Sequence, residues 1–245
     1  MIEINNLCKI YNGTLKAVDD LSFTVNDGEI VGFIGPNGAG KTTTIKMITG
    51  ILRPDSGSVQ VNGYDITKQP LETKSIIGYI SDNPNLFLKL TGLEYINFVA
   101  DMYKISQKDR VERISYYTEH FGMQDALGER MLDYSHGMRQ KIMIIAALVH
   151  NPQVWILDEP MVGLDPQAAY NLKQMMREHA DKGNSVLFST HVLEVAEKVC
   201  DRIIVISHGK MQYSGTLAQL KEQYNDMDIE QIILEMTGDL KDGKL

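Results

Sequence analysis

The stretch GPNGAGKTTT, residues 35–44, offers almost no side chain to a core and ends in one cation followed by hydroxyls. Glycine lacks a Cβ, so successive backbone N–H groups can close around a polyphosphate. The spacing Gly35-x4-Gly40-Lys41-Thr42 is that of a phosphate-binding P-loop, a motif that carries meaning only between a strand and a helix. Both flanks are present. Residues 30–34 are a continuous apolar run, and residues 42–49 place Ile45 and Ile48 at helical spacing before Gly50. A helix starting beside Lys41 adds unpaired N–H groups and the positive end of its dipole. Gly35, Asn37, Gly38, Ala39, Gly40, Lys41, Thr42 and Thr43 are therefore the expected nucleoside triphosphate ligands. Lys41 is expected on the β- and γ-phosphates and the Thr42 hydroxyl on Mg²⁺.

A second group with chemistry sits in VWILDEP, residues 154–160. Asp158 and Glu159 fall at the carboxyl end of a buried strand, where open α/β sheets bind ligands. Asp158 is placed to hold Mg²⁺ or its water, and Glu159 to orient or deprotonate an attacking water. Taken alone, two carboxylates at a strand end also read as a surface cap. The Asn-Lys-x-Asp base-reading motif of a GTPase is absent from the chain.

The elements that must position these groups follow from periodicity. IEINNL and LSFTV near the start alternate apolar and polar residues as half-buried strands, with Asp27-Gly28 and Asn62-Gly63 as hairpin-type turns. Residues 84–150 read as helix after helix. Thr91-Gly-Leu-Glu94 is a capping box for a helix carrying Leu93, Ile96, Ala100 and Tyr103 on one face, and Ser106 with Asp109 opens another. Ser135 opens a third, stopped by Asn151-Pro152. VWILD, SVLFS and RIIVI are then short apolar strands separated by helices near Pro166 and Val192, with Asp165 as the N-cap before Pro166. This order predicts an α/β fold: a P-loop NTPase core with a mostly parallel sheet, N-terminal antiparallel strands and an inserted α-helical lobe. Residues 1–83 and 151–216 would form the core and 84–150 the lobe. Residues 217–245 would be a short extension with one amphipathic helix and a polar tail.

The 245 residues suit one large domain with an insertion, and 43% hydrophobic residues supply a core. A net charge of −8 argues against non-specific nucleic-acid or anionic-lipid binding. Cys8 and Cys200 form no CxxC pair and read as thiols in a reducing compartment. The start lacks a signal-peptide pattern, and the most apolar run, residues 142–149, is too short to span a bilayer. A soluble, cytoplasmic protein is expected.

With the P-loop, YSHGMRQK at residues 134–141, the acidic strand and STH at 189–191 in that order, residues 2–216 resemble the nucleotide-binding subunit of ATP-binding cassette transporters. The resemblance implies that ATP and Mg²⁺ are bound, and that two subunits, identical or related, sandwich two ATP. Ser135, His136 and Gly137 of one subunit would then cover the ATP held by the other. It further implies that Tyr11 stacks on adenine, unless it is a plain core or surface tyrosine. Asp165 would speak across the dimer, and His191 would contact the γ-phosphate.

Departures from the family pattern bear on activity. Asp82 stands where a glutamine or glutamate usually reaches Mg²⁺, with Ser81 for the usual proline; its carboxylate can serve a hard cation, but on a shorter side chain. His136 and Met138 replace a glycine and a glutamine of the signature. This signature resembles that of export cassettes serving separate membrane permeases, which would hold the chain on the inner face of the cell membrane. The apolar residues Leu86, Phe87 and Leu88 are either lobe core or permease docking surface. The expectation is an ATP-hydrolysing subunit of an exporter; the alternatives are a soluble non-transport cassette ATPase and a weakly active regulatory cassette.

Overall fold

The computed structural model describes residues 1–85, 87–224 and 227–238. Two sheets organise them. β1 (Ile2–Tyr11) pairs antiparallel with β2 (Leu15–Val25) and with β4 (Ser56–Val61), and β5 (Tyr64–Asp65) extends β4. The second sheet contains β3 (Ile30–Ile34), β6 (Ile77–Ile80), β7 (Val154–Asp158), β8 (Ser185–Thr190), β9 (Arg202–Ser207) and β10 (Lys210–Gly215). Its order is β10-β9-β3-β8-β7-β6, parallel throughout except for β10 on β9.

Parallel neighbours need crossovers, which cover both faces and demand apolar residues at successive positions. The alternation is visible residue by residue. Val31 and Phe33 of β3, Val154 and Ile156 of β7, and Leu187 of β8 enter one core with the antiparallel sheet and α1 (Lys41–Ile48). Trp155, Leu157, Val186 and Phe188 point the other way, into a core shared with α6 (Pro166–Asp181) and the lobe. Each buried residue of this size contributes roughly 1.5–3 kcal/mol relative to exposure.

Between β6 and β7 lie α3 (Gly92–Met102), α4 (Gln107–Phe121) and α5 (His136–Leu148). The Thr91 capping box opens α3, with Thr91 accepting from the Glu94 amide and the Glu94 carboxylate accepting from the Thr91 amide. Ile96 and Ala100 are buried as the pattern requires, but Leu93 is exposed and Tyr95 takes the inward position. Of the predicted stripe only Leu93 falls outside the buried face, because the lobe core lies against α5 on the Tyr95 side.

Two further differences have physical reasons. Asn62-Gly63 does join a hairpin, β4 to β5, but Asp27-Gly28 carries the chain from one sheet to the other. There the Gly28 amide donates to the Asn184 carbonyl, a bond outside any β2–β3 ladder. The C-terminal segment has two helices, α8 (Leu217–Gln223) and α9 (Ile229–Thr237). Leu220, Ile229, Ile232 and Ile233 share a core with Ile34 of β3, Ile203 and Val205 of β9, and Ala196 of α7 (Leu193–Val199). Residues 239–245, which include much of the polar tail, lie outside the described residues.

Two histidines are packed as neutral rings. His150 stacks on Tyr103 with centroids 3.7 Å apart, and His179 meets Trp155 edge-on at 5.7 Å. Burial pushes both imidazoles down to about 4, so between that value and the ordinary one the unfolded chain binds more protons. The stability they hold is complete above about pH 6.5 and is lost as pH falls towards 4. Acidification from pH 7 to pH 5 therefore lowers the melting temperature, at roughly 1–2 kcal/mol per histidine. His150→Phe, which keeps the stack but cannot charge, flattens that acid limb in a thermal melt.

Candidate functional site

Strand register assembles the site. Ile34 of β3 stands beside Thr190 of β8, and Asp158 of β7 stands beside Ser189 of β8. The carboxyl ends of three adjacent strands thus finish level, and each runs on into a residue singled out in the sequence: Gly35, Glu159 and His191.

The loop from Gly35 to Gly40 excludes a side chain at its two ends. A Cβ on Gly35 would stand 2.3 Å from the Ile206 carbonyl oxygen, and one on Gly40 2.4 Å from that of Ala17. Gly40 also has φ +108°, which only glycine adopts without strain, and α1 begins at the next residue. Lys41 is 6% exposed; its ammonium donates to the carbonyls of Gly35 at 2.6 Å and Pro36 at 3.2 Å. It also lies 3.6 Å from Glu159 Oε1. A single pocket is lined by Pro36, Asn37, Gly38, Gly40, Lys41, Thr42 and Thr43 together with Ala17, Asp82 and Glu159.

Asp158 is fully buried. Its Oδ1 accepts from the Ser189 hydroxyl at 2.6 Å, while Oδ2 has no hydrogen-bond partner. Burial raises its pKa, opposed by the Ser189 hydrogen bond and the nearby Thr42 hydroxyl, with the Asp82 and Glu159 carboxylates adding to the rise. An orphaned carboxylate oxygen beside a threonine hydroxyl fits a hard cation, which would cancel the burial cost. Among the described residues no three His, Cys, Asp or Glu side chains gather as a metal cage, so a cation here would complete its shell from phosphate and water. Tyr79, whose hydroxyl is also buried without a partner, is pushed up to about 12 by burial and by the same Asp158 and Asp82 charges.

Glu159 has φ +49°, an unfavourable left-handed geometry for an L-residue that carries a Cβ, worth roughly 1–2 kcal/mol of strain. From that turn its two oxygens diverge, Oε1 towards Lys41 and Oε2 to His191 Nδ1 at 3.0 Å. A carboxylate set between a cation and an imidazole, next to a phosphate loop, can hold and deprotonate a water.

Other residues singled out in the sequence lie apart. Tyr11 closes β1 at the surface with the Lys9 ammonium 6.0 Å from its ring centroid, and is not in the pocket wall. Ser135 caps α5, accepting from the Met138 amide at 3.2 Å. His136 and Gly137 pack on Gly163, so closely that a Cβ on Gly137 would stand 2.4 Å from the Gly163 carbonyl oxygen. Asp165 caps α6 through the Ala168 amide at 2.9 Å and pairs with Lys141 of α5 at 2.7 Å; that lysine holds its carboxyl below the usual range. None of Ser135, His136, Gly137 and Asp165 lines the phosphate pocket of its own chain. Phe87 is half exposed against the rings of Tyr95 and Phe98, Leu88 is partly buried, and Leu86 lies outside the described residues. Sequence reasoning missed Ser189, Ala17 and Lys141. Ser189 stands in the STH motif, but its partners are fixed by pairing between strands thirty residues apart, which leaves no local signal.

The sheet, the glycine loop and the acidic strand end define a P-loop nucleotide-binding ATPase core. The chain belongs to the ABC transporter family, whose model matches residues 18–162. It is 39% identical over 228 residues to the ABC-type transporter ATP-binding protein EcsA of Bacillus subtilis (strain 168), covering 92% of this chain and 91% of that one. The daunorubicin/doxorubicin resistance ATP-binding protein DrrA of Streptomyces peucetius is 38% identical over 220 residues, 90% of this chain and 66% of that one. Among solved structures, one described as the ATP binding subunit of an ABC transporter superposes with a TM-score of 0.91 at 33% identity, covering 97% of this chain and 99% of that one. The dimeric structure of MJ0796, a bacterial ABC transporter cassette, matches with a TM-score of 0.79 at 25% identity, over 89% of this chain and 99% of that one. This chain is thus an ATP-binding ATPase subunit of an ABC transporter. Among the described residues no helix is long and apolar enough to cross a membrane.

The two glycine environments separate backbone strain from steric exclusion. Gly38, at φ +81° with open space around its would-be Cβ, tolerates alanine with a few-fold loss of nucleotide affinity. Gly40→Ala, which must displace the Ala17 carbonyl, abolishes binding in a fluorescent-nucleotide titration.

Proposed function

We propose that the chain is the ATP-hydrolysing subunit of an exporter, acting as a pair of cassettes around two ATP molecules and driving a separate membrane-spanning permease. The observation that carries the paired arrangement is the separation of residues 135–137 from their own phosphate pocket: the N-terminus of α5 is an anion-binding end with no phosphate of its own to meet. A second cassette, identical or related, supplies one. The name of DrrA favours export, and the dimeric MJ0796 structure favours pairing. The acidic balance of −8 disfavours nucleic acid as the partner. In this reading residues 1–216 form the ATPase domain with 84–150 as its lobe, residues 217–245 follow as an extension, and the protein works on the cytoplasmic face of the membrane through its permease.

In this reading each residue takes one role. Backbone amides of residues 35–43 and the Lys41 ammonium bind the phosphates, and Tyr11 stacks on the base. Thr42 and the free Oδ2 of Asp158 would hold Mg²⁺, with Asp82 reaching it directly or through water. When bound, that ion withdraws charge from the phosphate oxygens. Glu159 accepts the proton of the attacking water, and His191, bonded to Glu159, keeps its carboxylate oriented and faces the γ-phosphate. Ser135, His136 and Gly137 of the second subunit close over the same nucleotide, and Asp165 meets the partner across the interface. ATP thus favours the closed pair by its differential affinity, and hydrolysis releases it.

Glu159→Gln tests this assembly. The variant binds ATP, loses phosphate release, and elutes as a dimer on size-exclusion with saturating Mg²⁺-ATP. Elution as a monomer under those conditions would sink the paired-cassette reading, and phosphate release equal to wild type would sink the role of Glu159. Lys41→Ala abolishes both nucleotide affinity and turnover.

A further inference from the structure

Ser189 is the penultimate residue of β8 and fully buried, in register with Asp158 on one side and Phe33 on the other. Its hydroxyl donates to Asp158 Oδ1 at 2.6 Å and accepts from the backbone N–H of Glu159 at 2.9 Å. Those two bonds fix the direction of the hydroxyl proton, towards Asp158. They also divide the work of two adjacent acids. With Oδ1 engaged by Ser189, Oδ2, which has no hydrogen-bond partner, is the oxygen left wholly free for a ligand. With its amide pinned, Glu159 is held at φ +49°, the turn that sends its carboxylate between Lys41 and His191 instead of alongside Asp158. Strain of this kind persists only where surrounding bonds hold it in place.

We propose that Ser189 is a positioning residue for ATP hydrolysis, one hydroxyl that assigns Asp158 to the cation and Glu159 to the attacking water. The inference rests on the hydrolytic role proposed above for Glu159. Ser189 touches neither nucleotide nor water; it acts through the two acids. Its loss leaves Oδ1 unsatisfied and the carboxylate free to rotate, and removes one restraint on the Glu159 turn.

The test compares Ser189→Ala with Ser185→Ala, which removes a buried hydroxyl from the other end of β8, where it donates to Asp27 at 3.0 Å. Three quantities are read on the full chain: kcat at saturating Mg²⁺-ATP, the Mg²⁺ concentration giving half-maximal turnover, and the affinity for a fluorescent trinitrophenyl-ATP in EDTA. In Ser189→Ala we expect kcat to fall about 10- to 100-fold and the Mg²⁺ requirement to rise, with metal-free affinity within about two-fold of wild type. Ser185→Ala keeps wild-type turnover. A Ser189→Ala kcat within about two-fold of wild type overturns the inference. So does an equal loss in Ser185→Ala, and so does loss of metal-free binding, which marks a merely structural residue. Glu159→Gln assayed in parallel separates the two failures. If it abolishes turnover and Ser189→Ala does not change it, only the Ser189 inference falls; if Glu159→Gln hydrolyses normally, both fall.

Discussion

The parallel pairing of β3, β8 and β7 is the constraint on which the rest depends. A parallel ladder sets neighbouring strands side by side pointing the same way, so their carboxyl ends can finish level and carry loops from one rim. Ile34 beside Thr190, and Asp158 beside Ser189, bring a phosphate loop, an acidic pair and a histidine to that rim. A slip of one residue in β8 would turn Ser189 to the opposite face of the sheet and separate it from Asp158. The apolar alternation of Val186, Leu187 and Phe188 between two different cores resists such a slip, since it would move every side chain into the wrong layer.

Electrostatics at the rim follow from crowding. Burial raises the pKa of Asp158, and the Asp82 and Glu159 carboxylates beside it add to the rise. Among the described residues, Lys41, 3.6 Å from Glu159, is the full positive charge paired with this cluster. The rim thus sets a buried, unpaired carboxylate oxygen on one side against the phosphate loop on the other. The lobe meets the core through α5, where Lys141 pairs with Asp165 at the start of α6 and Gln140 donates to the Pro160 carbonyl at 3.4 Å. Motion of the lobe is therefore linked by hydrogen bonds to the segment that follows Glu159.

Wherever recognition rested on a continuous stretch, the sequence was legible. The glycine loop, the Thr91 capping box, the Ser135 and Asp165 N-caps, and the apolar strands ending at Ile34 and Asp158 all stand where local chemistry placed them, and the strand read as 185–189 runs one residue further. Legibility failed where the deciding partner came from elsewhere. Leu93 is exposed because α5 lies on the other side of α3, and Asp27-Gly28 changes sheets because β3 pairs with β8 and β9 instead of β2. The second C-terminal helix, α9, was missed although Ile229, Ile232 and Ile233 are at helical spacing, since the surface it needs is built by β9 and α7.

Side-chain type and local order by themselves determined that this chain carries a nucleoside triphosphate loop, an acidic strand end and a helical insertion, because glycine's missing Cβ, proline's fixed φ and apolar periodicity act within a few residues. Only the tertiary structure decided which atoms of those residues remain free. It left Asp158 Oδ2 open, turned Glu159 between Lys41 and His191, gave Ser189 both its partners, and kept Ser135 away from its own phosphate pocket. The reason is that hydrogen bonds between strands and the exclusion of Cβ atoms by distant carbonyls depend on register across the sheet, and register is a property of the packed layers as a whole.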